Sequence, residues 1–435
     1  MRRGWAEAGV LLACAAAIID VRIASGQMAG PVPQKAKAPM TREAVRYEPV
    51  PYGSLPNWAT DDHAAAFAAF LKSCRRLVLV GRDNSAKIDL GAPHVSALIE
   101  TCTVAMASER NIKSAADARR FFEQRFVAHR VVHAGPPGLL TAYYEPVIAG
   151  SRVAGGRFAT PIYRRPPDLV NLVEETQRGA VGSALTHARK TATGTEPYAT
   201  RAEIDGGALQ GRGLELLYLP DPVEVFFLQV QGSGRIRLPD GSLIRVTYDG
   251  KNGHPYTSIG RHLIDNGIID AGRMSLQALA EWLKADPKRG RDVLWQNKSY
   301  VFFRELQGAE AASPLGVLDV PLTTGRSLAV DVAFHALGLP VFVSSPTLTH
   351  AGDRNGFRRL MVAQDVGSAI RGPERGDLFF GSGEEAAKIA GITKHPGTFH
   401  VLLPIATATA AKPDNTAAKP TGSIPAAPVK APRVP

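Results

Sequence analysis

Three aspartates lie beside apolar, strand-like runs in the C-terminal quarter of the chain: Asp331, Asp365 and Asp377. Asp377 is followed directly by a leucine and two phenylalanines. A carboxyl group among apolar side chains loses hydration, which raises its pKa and lets it remain protonated near neutral pH. Such a group can act as a general acid. The alternative, that each aspartate caps a turn or a helix, is the commoner outcome for an aspartate beside glycine.

Other kinds of catalysis have little support in the sequence. Ser233 stands between two glycines but lacks the Gly-x-Ser-x-Gly elbow of serine hydrolases. The glycine-rich segments at residues 211–213 and 232–235 are not complete nucleotide-binding fingerprints. The 11 histidines and 3 cysteines show no spacing typical of a metal site. The sequence therefore predicts no metal and no cofactor.

Aromatic and amide side chains in two segments favour sugar as a ligand. Residues 141–146 contain two adjacent tyrosines, and residues 229–235 contain two glutamines and a Gly-Ser-Gly turn. Aromatic rings stack on sugar faces, and amides hydrogen-bond to sugar hydroxyls. The alternative is that the tyrosines belong to a core, as strand tyrosines more often do.

The elements that must position these residues are mainly strands. The 435 residues allow two or three domains, and 42 glycines and 32 prolines indicate many turns. Residues 60–130 are predicted to be mostly helical, with Thr60 or Asp61 and Ser114 as N-caps and Phe126 on the last helix. Further helices are predicted at residues 256–266, 275–284 and 384–390.

Short strand-like runs follow residue 138, and such spacing argues for barrels or sandwiches. A hairpin turn is predicted at Pro239-Asp240-Gly241. The predicted strands are residues 139–144, 216–219, 223–230, 236–238, 244–248, 299–303, 328–332, 360–364 and 399–403.

Both ends of the chain differ in composition from the rest. Residues 1–26 have the pattern of a cleaved export signal, and a lipidated Cys14 is the less favoured alternative. Residues 27–46 are predicted to be a linker and residues 407–435 a disordered Ala/Pro/Lys tail. In an exported protein Cys74 and Cys102 can form a disulfide, and two buried thiols on helix faces are the alternative.

The formal net charge is +11, which suggests an acidic partner. Residues 26–46 and the tail carry +3 each and residues 1–25 carry +1, so the body from residue 47 to 406 carries +4. No basic stripe appears in that body, which argues against nucleic acid as a partner. The basic ends favour a weak attraction to an anionic wall or membrane surface.

Ten short motifs occur in order between residues 142 and 383. They are Ala142-Tyr-Tyr-Glu-Pro, Thr160-Pro-Ile-Tyr-Arg, Thr200-Arg-Ala-Glu-Ile, Val230-Gln-Gly-Ser-Gly, Gly250-Lys-Asn-Gly-His-Pro-Tyr, Ser258-Ile-Gly, Asn297-Lys-Ser-Tyr-Val-Phe-Phe, Leu360-Met-Val-Ala-Gln-Asp-Val-Gly, Ala369-Ile-Arg-Gly and Arg375-Gly-Asp-Leu-Phe-Phe-Gly-Ser-Gly. Through these motifs the chain resembles, from about residue 139 to residue 403, the membrane-bound lytic murein transglycosylase A family, including its C-terminal three-aspartate domain. Two departures are a valine after Asp331, where many relatives have arginine, and Ser368, where glycine is usual.

The resemblance implies a mainly β fold with a helical N-terminal segment. Residues 47–146 and 308–406 are expected to form a discontinuous double-psi β-barrel domain, with the three-aspartate region at residues 315–404. Residues 147–307 are expected to form an inserted, smaller β-barrel domain, with a groove for a glycan strand between the two.

The resemblance also implies an activity, cleavage of the β-1,4 bond between N-acetylmuramic acid and N-acetylglucosamine in peptidoglycan with formation of a 1,6-anhydro product. The family's catalytic aspartates match Asp377 as the single acid/base and Asp365 and Asp331 as supporting groups. The expected glycan-binding residues are Tyr143, Gln231, Gly232, Ser233, Lys251 and Asn252.

An inverting endoglycosidase and a non-catalytic wall-binding protein remain as alternatives. The expected partner is the glycan strand of peptidoglycan, and no protein partner can be predicted. The expected location is the periplasm, with or without attachment to the outer membrane.

Overall fold

The computed structural model describes residues 44–82, 95–173, 185–351 and 354–405. The predicted leader, residues 27–43 of the predicted linker and the predicted tail lie outside these ranges. Within them, no helix combines the length and the hydropathy needed to cross a membrane.

The described chain is mainly β-sheet with some helices, as predicted. The strands are β1 (Val45–Pro49), β2 (Phe126–His133), β3 (Leu139–Glu145), β4 (Val147–Ala149), β5 (Thr160–Tyr163), β6 (Leu169–Asn171), β7 (His187–Lys190), β8 (Thr195–Glu196), β9 (Glu215–Leu219), β10 (Ser233–Arg237), β11 (Leu243–Lys251), β12 (Val301–Leu306), β13 (Ser327–Ala329), β14 (Pro340–Ser345), β15 (Phe357–Asp365), β16 (Arg375–Ser382), β17 (Lys394–Pro396) and β18 (Thr398–Pro404).

The helices are α1 (His63–Arg82), α2 (Val95–Ser108), α3 (Ala115–Arg125), α4 (Arg201–Glu203), α5 (Pro222–Gln231), α6 (Ile259–Asp265), α7 (Leu276–Ala285), α8 (Pro287–Leu294) and α9 (Glu384–Gly391). The helices predicted near residues 256–266, 275–284 and 384–390 correspond to α6, α7 and α9, with shifted ends.

A large sheet joins strands from the two ends of the described chain. Its order is β1-β2-β18-β14-β15-β13-β16-β3-β17. Most neighbours are antiparallel, but β13 runs parallel to β15 and β16 runs parallel to β3. The short strand β13 therefore lies between β15, which ends at Asp365, and β16, which carries Asp377.

A second sheet has the order β12-β11-β10-β4, and two smaller sheets pair β5 with β9 and β6, β7 and β8 with one another. The predicted turn at Pro239-Asp240-Gly241 connects β10 and β11, and this prediction is confirmed. The turn closes with a hydrogen bond of 2.9 Å from the amide of Leu238 to the carbonyl of Ser242. Gly241 has φ of 86°, which favours glycine.

The predicted helix up to residue 130 is wrong at its end, because α3 stops at Arg125. Its start is as predicted, since the Ser114 side chain accepts a 3.1 Å hydrogen bond from the amide of Asp117. Phe126 is extended and begins β2. The β-branched residues that follow favour a strand, and the pairing with β1 and β18 outweighs the helical apolar spacing.

The strand predicted at residues 223–230 is also wrong, because this segment forms α5. Asp221 caps the helix through a 2.9 Å bond from the amide of Glu224, and a proline occupies the first turn. The helix contributes Leu228 to one core cluster and Phe226 to another. A helix buried on several sides is apolar all round and lacks the usual amphipathic period.

The first helix begins later than predicted. The Asp62 side chain, not Thr60 or Asp61, accepts a hydrogen bond of 3.0 Å from the first turn of α1, at the amide of Ala65. Asp61 is instead buried in an ion pair, with 2.8 Å between its Oδ1 and Nη2 of Arg326. This pair ties the start of the helical segment to the residues that lead into β13.

A disulfide joins Cys74 of α1 to Cys102 of α2, with the Cα atoms 4.8 Å apart. Both cysteines are fully buried. Of the two alternatives raised by the sequence, the structure therefore contains the bonded pair.

The buried apolar residues fall into separate clusters. The largest cluster draws on residues 45–144 and 328–402 and covers the large sheet. Three others use residues from 148 to 303. A small fifth cluster contains Tyr143, Ala329 and Phe379 and lies beside the aspartates.

Candidate active site

The sheet brings two of the three aspartates into one row. Ala329 of β13 is paired on one side with Asp365 of β15 and on the other with Asp377 of β16. Asp377 is paired in turn with Thr141 of β3. Tyr143 lies two residues further along β3 and therefore faces the same side of the sheet as Thr141.

Asp377 lies partly exposed in the middle of β16. The Thr141 hydroxyl donates a hydrogen bond to its Oδ1, and Nη2 of Arg375 donates to the same hydroxyl oxygen at 2.8 Å. Burial raises the pKa of Asp377, while the Arg375 charge and the Thr141 hydrogen bond oppose the increase. Its Oδ2 accepts no hydrogen bond from any residue that the structure describes. This oxygen is therefore available to an external group.

Asp365 has both of its oxygens engaged. The Tyr143 hydroxyl donates to Oδ2 at 2.8 Å, and the amide of Val366 donates to Oδ1 at 2.9 Å. Burial raises the pKa of Asp365 to about 6, and the charge of Asp377 adds to the rise. The Tyr143 hydroxyl and the amides of Val366 and Val317 act in the opposite direction. Asp365 is thus held as a hydrogen-bond acceptor next to Asp377.

Tyr143 is buried against both aspartates. Its ring centroid lies 5.2 Å from that of Phe379. Burial and the charges of Asp365 and Asp377 raise the pKa of Tyr143 well above its ordinary value. The phenol therefore stays neutral and keeps its proton for the hydrogen bond to Asp365.

The main chain beside Asp365 is unusual. Val317 is followed by two non-glycine residues with left-handed backbone, Leu318 with φ of 63° and Asp319 with φ of 55°. The amide of Gly316 closes this turn with a 2.9 Å bond to the carbonyl of Val320. Such conformations cost about 1 to 3 kcal/mol each and are held by their surroundings. Here the turn directs the amide of Val317 toward Asp365.

Asp331 is set apart from the other two aspartates. It follows β13, is 4% exposed, and accepts main-chain hydrogen bonds from Ala333 at 3.1 Å and Gly372 at 2.8 Å. Burial raises its pKa, and the two amides and the charge of Arg371 oppose this. Asp331 therefore fastens the segment between Asp365 and Asp377 to the end of β13.

Three of the expected glycan-binding residues lie where α5 meets β10. The Gln231 side-chain oxygen accepts a 3.0 Å bond from the amide of Tyr144, which connects α5 to β3. Gly232 ends α5 with φ of 76°, and no other atom lies within 4 Å of where a Cβ would stand. Ser233 starts β10 and is 6% exposed.

Lys251 and Asn252 follow one another at the end of β11 but differ in their contacts. The ammonium of Lys251 lies 3.4 Å from the hydroxyl of Ser368, in the segment that follows Asp365. Asn252 is fully buried and its side chain bonds only to main-chain groups among the described residues. It donates to the carbonyls of Ala199 and Lys298 at 2.8 Å each and accepts from the amide of Tyr300 at 2.9 Å.

Glu145 was not predicted as a functional residue, yet it connects the two largest sheets. It is fully buried at the end of β3 and accepts hydrogen bonds from Arg245 at 2.5 Å, Arg235 at 2.9 Å and Ser382 at 2.5 Å. The arginines belong to the second sheet, and Ser382 ends the strand of Asp377. The sequence contained one signal for Glu145: a carboxylate within an apolar and aromatic motif, Ala142-Tyr-Tyr-Glu-Pro, needs charged or hydrogen-bonding partners if it is buried.

Thr141 and Arg375 were also missed. Both stand within segments that the sequence singled out, but nothing in their spacing shows that they meet. The parallel pairing of β3 with β16 brings them together at Asp377.

The large sheet and its aspartate pair define a mainly β protein with a paired-carboxylate site. Two family models match the chain, the MltA specific insert domain at residues 139–304 and the 3D domain at residues 326–403. All three aspartates lie within the second match.

Known proteins of the same kind resemble the chain over most of its described length. A membrane-bound lytic murein transglycosylase structure from Agrobacterium tumefaciens is 38% identical, with a TM-score of 0.73, and the match covers 82% of this chain and 97% of that one. An Escherichia coli MltA structure with bound chitohexaose is 31% identical, with a TM-score of 0.55, and the match covers 76% and 88%. The chain belongs to the membrane-bound lytic murein transglycosylase A family.

The curated Escherichia coli protein "Membrane-bound lytic murein transglycosylase A" is 37% identical over 266 residues. That match covers 60% of this chain and 64% of the length of the relative.

Proposed function

We propose that this protein is a peptidoglycan lytic transglycosylase. It would cleave the β-1,4 bond between N-acetylmuramic acid and N-acetylglucosamine and leave a 1,6-anhydro-N-acetylmuramic acid end. Family membership supports the substrate and the reaction. The observation that carries the mechanism is the difference between the two paired aspartates: Asp365 has both oxygens engaged, whereas Oδ2 of Asp377 is available.

In this mechanism Asp377 acts twice. Its carboxyl proton passes to the glycosidic oxygen as the bond from that oxygen to the anomeric carbon breaks and the bonding electrons stay on the oxygen. The C6 hydroxyl oxygen of the muramyl residue then bonds to the anomeric carbon, and its proton passes to the Asp377 carboxylate. The acid is thereby restored and no water is consumed. A second catalytic carboxylate is unnecessary because the nucleophile belongs to the substrate.

Asp365 supports Asp377 through its charge. Two nearby carboxyl groups do not readily ionise together, so an ionised Asp365 favours the protonated form of Asp377. Asp331 has a structural role through its two main-chain hydrogen bonds.

The glycan strand is proposed to lie across the segment that holds Gly232, Ser233 and Lys251. The open space beside Gly232 and the position of Lys251 next to Ser368 support this placement. The chitohexaose bound to the Escherichia coli relative supports recognition of an amino-sugar chain. Gln231 and Asn252 contribute by holding main-chain segments, since their described hydrogen bonds serve the main chain.

We also propose the domain division that the resemblance implies. Residues 47–146 and 308–406 would form a double-psi β-barrel and residues 147–307 an inserted β-barrel domain. The separation of the apolar clusters supports this division. An export signal at residues 1–26 and a periplasmic location complete the proposal.

The test is product analysis of digested sacculi by mass spectrometry. The native protein is expected to release muropeptides with anhydro ends, and Asp377→Asn is expected to reduce release by at least a hundredfold while still binding sacculi. Asp240→Asn serves as the control, because it changes an exposed carboxylate of the hairpin turn and is expected to leave cleavage unchanged. Ends one water heavier would indicate an inverting hydrolase, and binding without release would indicate a wall-binding protein. Unchanged cleavage by Asp377→Asn would refute the assignment of Asp377.

A further inference from the structure

Two hydroxyls on one strand reach the two paired aspartates separately. Thr141 and Tyr143 are two residues apart on β3 and face the same side of the sheet. Thr141 donates to Asp377, and Tyr143 donates to Asp365 at 2.8 Å. Strand β3 therefore supplies one hydroxyl donor to each of the two carboxyl groups.

The hydrogen bonds of Asp365 favour its ionised form. Its Oδ2 accepts from the Tyr143 hydroxyl and its Oδ1 accepts from the amide of Val366, and donors to both oxygens stabilise the carboxylate. The Tyr143 phenol is neutral and donates its proton to Oδ2, which adds to the stabilisation of the Asp365 carboxylate. On Asp377 the proton can occupy Oδ2 without displacing any described hydrogen bond.

We propose that Tyr143 is a positioning residue, whose hydroxyl keeps Asp365 ionised and thereby places the single proton of the aspartate pair on Asp377. This inference rests on the proposed lytic activity and deepens it. It also reassigns Tyr143, which the sequence suggested as a glycan contact. Thr141 is the matching residue for Asp377, since its hydroxyl stabilises the carboxylate that must form when the proton leaves.

The charged and titratable groups around the pair are few among the described residues. Tyr143 from β3 and Asp377 from β16 act on Asp365, and Arg375 of β16 acts on Asp377. Lys251 of β11 lies 3.4 Å from Ser368, in the segment that follows Asp365. The two aspartates share their titration, so the pH dependence of the rate reports the pair as a whole. The form with one proton is the active one, and it is lost at low pH by protonation of Asp365 and at high pH by ionisation of Asp377.

This scheme predicts different effects for two nearly isosteric variants of the full chain. Tyr143→Phe removes a donor from Asp365, so the acid limb of the kcat profile is expected to move to higher pH by about one unit, with kcat falling about twofold at pH 7 and roughly tenfold at pH 5. Thr141→Val removes a donor from Asp377, so the alkaline limb is expected to move to higher pH instead. A merely structural role would lower the folded fraction without moving either limb.

Tyr144→Phe is the matched control. It removes a phenol hydroxyl from the next residue of the same strand, whose ring packs in the large core instead of the cluster beside the aspartates. Both limbs are expected to stay in place. The assay uses soluble, uncrosslinked glycan strands, with anhydro ends counted over the pH range and the melting temperature recorded for each variant.

The outcomes separate this inference from the proposed function. If the native protein forms no anhydro ends, the proposed function fails. If it forms them, but Tyr143→Phe keeps kcat and both limbs, the positioning role is refuted. A raised KM with an unchanged kcat profile would likewise refute it and assign Tyr143 to glycan binding.

Discussion

The three aspartates have similar sequence surroundings but different hydrogen bonds. Asp331 accepts from two main-chain amides, Asp365 from a phenol and two main-chain amides, and Asp377 from one hydroxyl on one oxygen. Burial raises the pKa of all three aspartates, so burial does not distinguish them. The three differ in the number and kind of their hydrogen-bond donors. A role for each residue follows from which of its oxygens is still available.

The raised pKa of Asp365 predicts a pH-dependent stability. Folding raises this pKa from 3.8 to about 6, so the protonated form stabilises the fold; this stabilisation is complete below about pH 4 and is lost as the pH rises through 6. Asp365→Asn is neutral throughout. Relative to the native protein, its free energy of unfolding is expected to improve between pH 4 and pH 7 by up to about 3 kcal/mol, measured by urea denaturation.

Asp240→Asn is the control with the opposite sign. Hydrogen bonds from Ser242 lower the pKa of Asp240, which lies exposed in the hairpin turn. This carboxylate stabilises the fold above its ordinary pKa, so the variant is expected to lose stability relative to the native protein as the pH rises. The same trend in both variants would contradict the assignment for Asp365.

At the scale of elements, strands β3, β13, β15 and β16 build the site and the helical segment supports them from behind. Asp61, just before α1, forms a buried ion pair with Arg326, just before β13, and Gln364 of β15 donates to the carbonyl of Ala69 in α1 at 2.9 Å. The site therefore depends on helices that contribute none of its described catalytic side chains.

The disulfide between α1 and α2 offers a test of that support. Replacing Cys74 and Cys102 together by alanine removes a link across 28 residues and is expected to lower the free energy of unfolding by roughly 3 to 4 kcal/mol. Because the disulfide lies in the core behind the sheet, kcat per folded molecule well below the melting temperature is expected to stay unchanged. Thermal denaturation with and without reductant measures the first effect, and a lowered kcat would contradict the second.

At the scale of the whole molecule, Glu145 connects the part of the chain built around the large sheet with the part built around the second sheet. This fully buried carboxylate joins the large sheet to two arginines of the second sheet. Removing one partner of a buried charge pair is costly, about 3 to 5 kcal/mol, so the pair holds the two sheets in a defined relation. The same residue lies two positions after Tyr143, which links the shape of the molecule to the aspartate pair.

The net charge of the chain predicts an effect on binding to sacculi and no effect on the cleavage reaction. Residues 407–435 carry +3 of the net +11. Deleting them is expected to weaken binding to sacculi at low salt, because screening removes such attraction at higher ionic strength, and to spare turnover of soluble glycan. Cosedimentation at two salt concentrations measures this. Equal binding by the deleted and full chains at low salt would show that the tail has no role.

The sequence by itself determined the mainly β class, the positions of eight of the 18 described strands, the hairpin at Pro239-Asp240-Gly241 and the three candidate aspartates. These follow from local information: alternation, turn residues and motifs carried within a few positions. The secondary-structure prediction was wrong at Phe126, where strand pairing overrides the local pattern. It was also wrong at residues 223–230, where burial on several sides hides the helical period.

The tertiary structure decided which aspartates meet and what holds them. Thr141 and Asp377 are 236 residues apart, and Tyr143 and Asp365 are 222 apart, so no local pattern records either contact. They form because β3 pairs in parallel with β16 while β13 lies between β15 and β16. Hydrogen-bond partners depend on that register, and register is set by the packing of the whole sheet.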